Sequence, residues 1–453
     1  MNLLQSIIAG DFTRLSDLDA VRIFGGAFES ELEWLKSACP TIESSRDRPV
    51  GSLGRSHTPS FLLYGYEYPE VNRTLISLLG VKWLLAGDYD TFTYGQPLQA
   101  KLKYDSFKRL QGMLIESCSA PESIFALLVA IAVNDVGKSS DFAKMVIGRS
   151  GQTFENHDEV VNAAAQHCLL PSLNMLDPAA RSDILLGLEF GSRLNVAQFA
   201  QAECVAANLK GIEVVRDKPR ALAWKMLEVI MDVAGAGGHV DSRGAVQMIE
   251  TVFQAYLAAY EAVLNIRSGQ MTPHEGYNCL LQSRMRLLYE AGLKTTLSVD
   301  DPSDHALIRL LAMGRVVDPA RADRFIQAFT KLDSGVRRDL VNALSIDSVD
   351  GQAAVLFAYG PGLISEALKN TKDTTQESCV LGSLFQFFAR VYNYHKESLN
   401  LLALRVREIS LCFAQETVKS ISFPENPGTL DVLPIPALVQ RSIFFVSISI
   451  IHV

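Results

Sequence analysis

The chain has 453 residues, 48% of them hydrophobic and 20% charged, which is enough apolar material for a large core and a length prior of roughly two to three domains. Its 42 basic and 50 acidic residues leave a formal net charge of −8. That balance excludes a general nucleic-acid scavenger, because phosphate affinity comes mostly from Lys and Arg, so any RNA partner has to meet a local basic patch.

In chain order, the opening MNLLQSIIAGDF lacks a basic n-region and a cleavage site and reads as a short helix, not a signal peptide. Ser16-Asp-Leu-Asp19 resembles a capping box and starts a helix through Phe28, and helical spacing continues from Leu32 to Ala38. Residues 40–70, with Pro40, Pro49, Pro59 and Pro69, read as an irregular arm. Helices then fit Val71–Leu85, Ser106–Ser117, Glu122–Asn134, Pro219–Val233 and Arg243–Ile266. The series continues over Pro273–Glu290, Ser303–Met313, Pro319–Leu332, Gly335–Leu344, Gln352–Lys369 and Glu377–Ser420. The terminal run from Ser442 to Val453 is too short to span a membrane and reads as an edge strand or a tail. Seven widely spaced cysteines with no CxxC pair are the reduced thiols of a cytoplasmic protein. There is no βαβ alternation and no fixed-period repeat, so the expected fold is all-α and multi-helical.

Four stretches carry candidate chemistry. Ala132-Val-Asn-Asp-Val-Gly-Lys138 ends an apolar helix with Asn134 and Asp135 side by side. Asn156-His-Asp-Glu-Val160 follows, placing His157 and Asp158 near the start of the next helix. Leu194 to Glu203 sets Asn195, Gln198 and Gln201 at helical spacing, a row of amides suited to a peptide-like or nucleobase group or to unsatisfied backbone. Asp232-Val-Ala-Gly-Ala-Gly-Gly-His-Val-Asp241 is either the glycine-rich wall of a pocket or a connector. It lacks phosphate-loop spacing. Its carboxylates Asp232 and Asp241, with Glu203, are candidates for holding a guanidinium, and His239 lies beside them. Lys101, Lys103, Lys108 and Arg109, interleaved with Tyr104 and Phe107, form the best basic-aromatic patch for RNA, or else a solvated helix face.

The VNDVGK string resembles the HD superfamily signature, where a His-Asp pair near a helix end binds a divalent metal that activates water. Here Asn134 stands in the histidine position, and an amide is a poor transition-metal ligand. The expectation is therefore a degenerate HD-domain-like core over 101–240, between helical regions at 1–100 and 241–453. The same stretch also reads as plain structure, with Gly137 and Lys138 stopping one helix and Asp158 complementing the dipole of the next.

Taken in order, VNDVGK, NHDEVV, GLEFGSRLNVAQFAQAE and DVAGAGGH resemble the fungal family of arginine-containing cyclodipeptide synthases. That resemblance implies a tRNA-dependent reaction joining arginine from arginyl-tRNA to a second aminoacyl group, without metal or other cofactor, in secondary metabolism. It suggests His157 with Asp135 or Asp158 for proton transfer. Asn134, Asn195, Gln198, Glu203, Asp232 and His239 are the candidates for holding substrate, and Lys101, Lys103, Lys108 and Arg109 for RNA. The alternatives are an HD-type metal-dependent phosphohydrolase acting on a nucleotide and a non-catalytic helical interaction protein.

Overall fold

The computed structural model describes residues 2–38, 58–348, 353–399 and 406–436. Residues 40–57 of the irregular arm, His57 among them, and the terminal run from 442 lie outside the described residues. Within the described residues the fold is all-α and multi-helical, apart from one pair of short strands.

Proline punctuates the chain. Pro69, Pro121, Pro219, Pro273, Pro302 and Pro319 each open a helix. The first helical residue has no use for its N–H, and the proline ring presets φ for the turn that follows. Side-chain caps complete the starts: Ser16 accepts from Asp19 N, Asn156 from Glu159 N, and Thr272 forms a full capping box with Glu275.

The chain forms two compact units, and their boundaries differ from the expected divisions at 100 and 240. The first unit takes residues up to Arg193 and then Val214–Gln254. Lys103 N and Ser106 Oγ donate to Glu250, and Gln96 donates to the carbonyls of Ala245 and Met248, so the expected core is tied to residues on both sides of it. The centre of this unit is the helix Pro69–Ala86, which packs on Pro219–Gly235. The helix Pro121–Asn134, buried from Phe125 to Asn134, packs on both and on Pro178–Arg193. The glycines of DVAGAGGH allow this close approach: a Cβ at Gly235 would lie 2.2 Å from the Arg73 carbonyl oxygen.

The second unit takes Leu194–Glu213 and the chain from Ala255. The helix Ser334–Ser345 packs on Thr374–Leu399 and on Pro302–Met313. Two expected helices differ in the structure. Ala354–Ala358 is a strand followed by the helix Gly360–Lys369, and the long helix from Glu377 stops at Leu399, with a second strand over Val406–Ser410. The strands pair in parallel, Ala354 against Val406 through Ala358 against Ser410. AVLFA is a short, wholly buried apolar run, a pattern that fits a core strand as well as a helix.

Arg243–Ile249 is also not helical, and the observed helix begins at Glu250. Ala245 N donates to the Phe92 carbonyl, and Gly244 lies against the backbone at Thr91 and Tyr94. Among the described residues no single helix is long and apolar enough to cross a membrane, and the bent pair Tyr104–Ser117 and Pro121–Lys138 turns by 111° between its halves.

Candidate functional site

The site in the first unit is built around the end of the helix Pro121–Asn134. A 3-10 turn over Val136–Lys138 follows Asp135. A Cβ at Gly137 would sit 2.3 Å from the His157 carbonyl oxygen, so only glycine lets this turn lie on the start of the helix His157–Gln166. That contact brings two of the sequence candidates together: His157 Nε2 is 3.9 Å from Asp135 Oδ1 and 3.7 Å from Asp158 Oδ1.

Fixed cations surround the carboxylates. Arg73, from the helix Pro69–Ala86, grips Asp232 with Nε at 2.6 Å from Oδ1 and its terminal nitrogen on Oδ2, and its Nε lies 3.5 Å from Asp135 Oδ2. Lys138 Nζ stands 2.8 Å from both Asp135 Oδ2 and Glu70 Oε2. Lys225 Nζ stands 2.6 Å from Glu228 Oε2 and donates to Asn134 Oδ1 at 3.2 Å. The stem of Lys225 runs over two glycines of GLEFGSR, since a Cβ at Gly191 would meet its Cε at 2.8 Å and one at Gly187 its Cβ at 3.5 Å.

Burial sorts these groups. Asp135 is 4% exposed, whereas His157 keeps 29% and Asp158 19% of side-chain surface, so solvent reaches the His157–Asp158 edge. Burial on its own would raise Asp135, but Lys138 and then Arg73 outweigh it and hold the carboxyl well below the usual range. Burial pushes Glu228 up to about 8 against the pull of Lys225. Burial also works against the charge on Arg73, and Asp232, Asp135 and Glu70 more than restore it.

The donor set does not fit a divalent metal. Asp135 is committed to Lys138 and Arg73, Asn134 turns its oxygen to an ammonium, and among the described residues no three His, Cys, Asp or Glu side chains are grouped to hold an ion.

Other candidates are placed differently. Asp232 was expected to bind a substrate guanidinium, but both its oxygens hold the chain's own Arg73, and Asp241 likewise holds Arg243. Asn195, Gln198 and Glu203 belong to the second unit. The amide row does not form: the helix is only Val196–Ala200, Asn195 caps it by accepting from Gln198 N, and Gln201 binds the Ala197 carbonyl and accepts from Arg315. Glu203 is buried with its carboxylate accepting from Tyr359 N, and burial pushes it up to about 8. His239 is half-buried in the turn after Gly235. Lys103, Lys108 and Arg109 are exposed beside Tyr104, while Lys101 sits 5.0 Å over the Tyr89 ring.

Arg73, Glu70, Lys225 and Glu228 escaped the sequence reading. A signal existed for two of them: Lys225, Glu228 and Asp232 recur at i, i+3 and i+7 on the otherwise apolar helix Pro219–Gly235, which makes one polar stripe.

A model of a family of unknown function (DUF6829) matches residues 21–430, and the chain belongs to that family. No curated protein and no solved structure matches it.

Proposed function

We propose that the first unit carries a metal-independent aminoacyl-transfer site, and that the protein is a tRNA-dependent cyclodipeptide synthase that joins arginine from arginyl-tRNA to a second aminoacyl group. The observation that carries the proposal is the set of fixed cations, Arg73, Lys138 and Lys225, held around Asp135 and Asn134, with the partly exposed His157–Asp158 pair at the edge. An aminoacyl ester is already activated, so the reaction needs proton transfer and charge stabilisation but no hydrolytic ion.

His157 is the base, flanked by Asp158 and Asp135. One proton of the attacking ammonium leaves through His157 before attack. The new C–N bond forms at the ester carbon, and a second proton goes from that nitrogen to the ribose oxygen as the ester C–O bond breaks. A second, intramolecular aminolysis closes the diketopiperazine and frees the other tRNA. Lys101, Lys103, Lys108 and Arg109 are the proposed contact for the tRNA backbone.

The test is expression in a host followed by mass spectrometry of the medium. An arginine-containing diketopiperazine that vanishes with His157→Ala is the expected result. No such product from well-expressed, folded protein would sink the proposal.

A further inference from the structure

Asn134 is the residue on which the site departs from the metal-binding pattern, and its surroundings are specific. An ammonium can only donate, so Lys225 at 3.2 Å fixes Oδ1 as the amide atom that faces it. The Nδ2 group is thereby turned the other way, and it makes no hydrogen bond to any described residue although Asn134 is only 9% exposed. Glu228 in turn holds Lys225, and its own Oε1 is buried without a partner among the described residues. The bare Cα of Gly191 makes room for the Lys225 stem. Lys225, held by Glu228 and given room by Gly191, thus orients the amide of Asn134, the chain neighbour of Asp135, and leaves its pair of N–H donors unused among the described residues.

We propose that Asn134 Nδ2 binds the carbonyl oxygen of the acyl substrate and stabilises the oxyanion formed on attack, with Lys225 and Glu228 as positioning residues that lock the amide. The assignment rests on the aminoacyl-transfer reading and gives it a carbonyl-binding group. A carboxylate placed there keeps the Lys225 contact and removes both donors.

Asn134→Asp is therefore the discriminating variant. Turnover is expected to fall about 10²- to 10³-fold, the loss usual for one oxyanion donor, with KM within about threefold. Gly191→Ala, which displaces Lys225 without touching Asn134, is expected to lower turnover less, and Lys225→Arg, whose planar fork cannot reproduce the single ammonium contact, to lower it as well. In protein labelled at asparagine, the side-chain amide resonance missing from Asn134→Asp is followed by NMR during titration with glycinamide and with L-argininamide. A shift with either amide supports the carbonyl contact even if the host medium contains no diketopiperazine, which separates this assignment from the synthase reading. Product formation by Asn134→Asp within about twofold of the native chain, or an amide resonance unmoved by both probes, overturns it.

Discussion

The two units each bury arginine, and they use it in opposite ways. Arg73 in the first unit lies among carboxylates, retains 14% of its side-chain surface, and shares Asp135 with Lys138 and His157. Arg309 in the second unit is 1% exposed and directs its guanidinium to main-chain carbonyls, those of Ala202, Glu203, Cys204 and Leu344. The Arg309 arrangement spends four of its five N–H donors on backbone carbonyls and lies against Ala202, which has φ 56°, a conformation that non-glycine residues seldom adopt. The Arg73 arrangement keeps an open edge and titratable neighbours. Buried charge therefore marks architecture where its partners are carbonyls, and a candidate for chemistry where its partners are ionisable and solvent reaches them.

The comparison is most easily broken at Arg309. Arg309→Met takes a donor from four buried carbonyls, of which only that of Ala202 keeps another among the described residues, from Tyr277 Oη, and unfolding stability is expected to drop on the order of 5 kcal/mol, measured by denaturant titration. A loss under about 1 kcal/mol would remove its architectural role. Asp135→Asn strips Lys138 and Arg73 of a shared counter-charge and is expected to cost about 3 kcal/mol as well as activity. His157→Ala is the contrasting case. Its ring is partly exposed, so stability should change by less than about 1 kcal/mol, while the proposed aminoacyl transfer is expected to fall about 10²-fold or more. Equal losses of stability in Asp135→Asn and His157→Ala would erase the distinction between the buried floor and the open edge of the site.

A pH test sharpens the second unit. Burial lifts Glu203 from 4.5 to about 8, so the folded chain holds this proton more tightly than the unfolded one. Its contribution to stability is full below the unfolded value and is lost as pH rises toward the folded one. Glu203→Gln, which still accepts from Tyr359 N, is expected to gain about 1–3 kcal/mol over the native chain as pH rises from about 5 to about 9. A constant difference across that range would mean that Glu203 is already ionised. The smallest effect tests the proposed tRNA contact: Lys101→Ala with Lys103→Ala is expected to reduce the salt slope of tRNA binding by about 1–2, read by filter binding at several salt concentrations, and an unchanged slope would remove these residues from the proposal.

Much of the helical framework was legible because proline, capping residues and the 3.6 period agree locally. Pro273–Glu290 has the bounds that the sequence suggests, and Pro121–Asn134 differs by one residue at its start. The strands were not legible, since AVLFA carries no alternation and its partner lies about fifty residues later. At the site, Asn134, Asp135, His157, Asp158 and Asp232 were visible as chemistry-bearing residues, and the structure groups them in one unit. Their partners were not. Arg73 precedes Asp232 by 159 residues, and nothing in its own helix marks it as the guanidinium that Asp232 holds. The amide row failed for local reasons: Asn195 is used as the N-cap, and the helix stops after five residues, just before Ala202 at φ 56°.

The Arg309 clamp also has a consequence for synthesis. Ala202, Glu203 and Cys204 leave the ribosome more than one hundred residues before the side chain that fixes them, and Glu203 waits longer still for Tyr359. At about 5–20 residues per second, that is roughly five to twenty seconds during which Leu194–Glu213 has no clamp. Elongation speed sets how long this segment waits for that clamp. Synonymous codon changes that slow translation between residues 214 and 309 should therefore raise its aggregation without altering one amino acid.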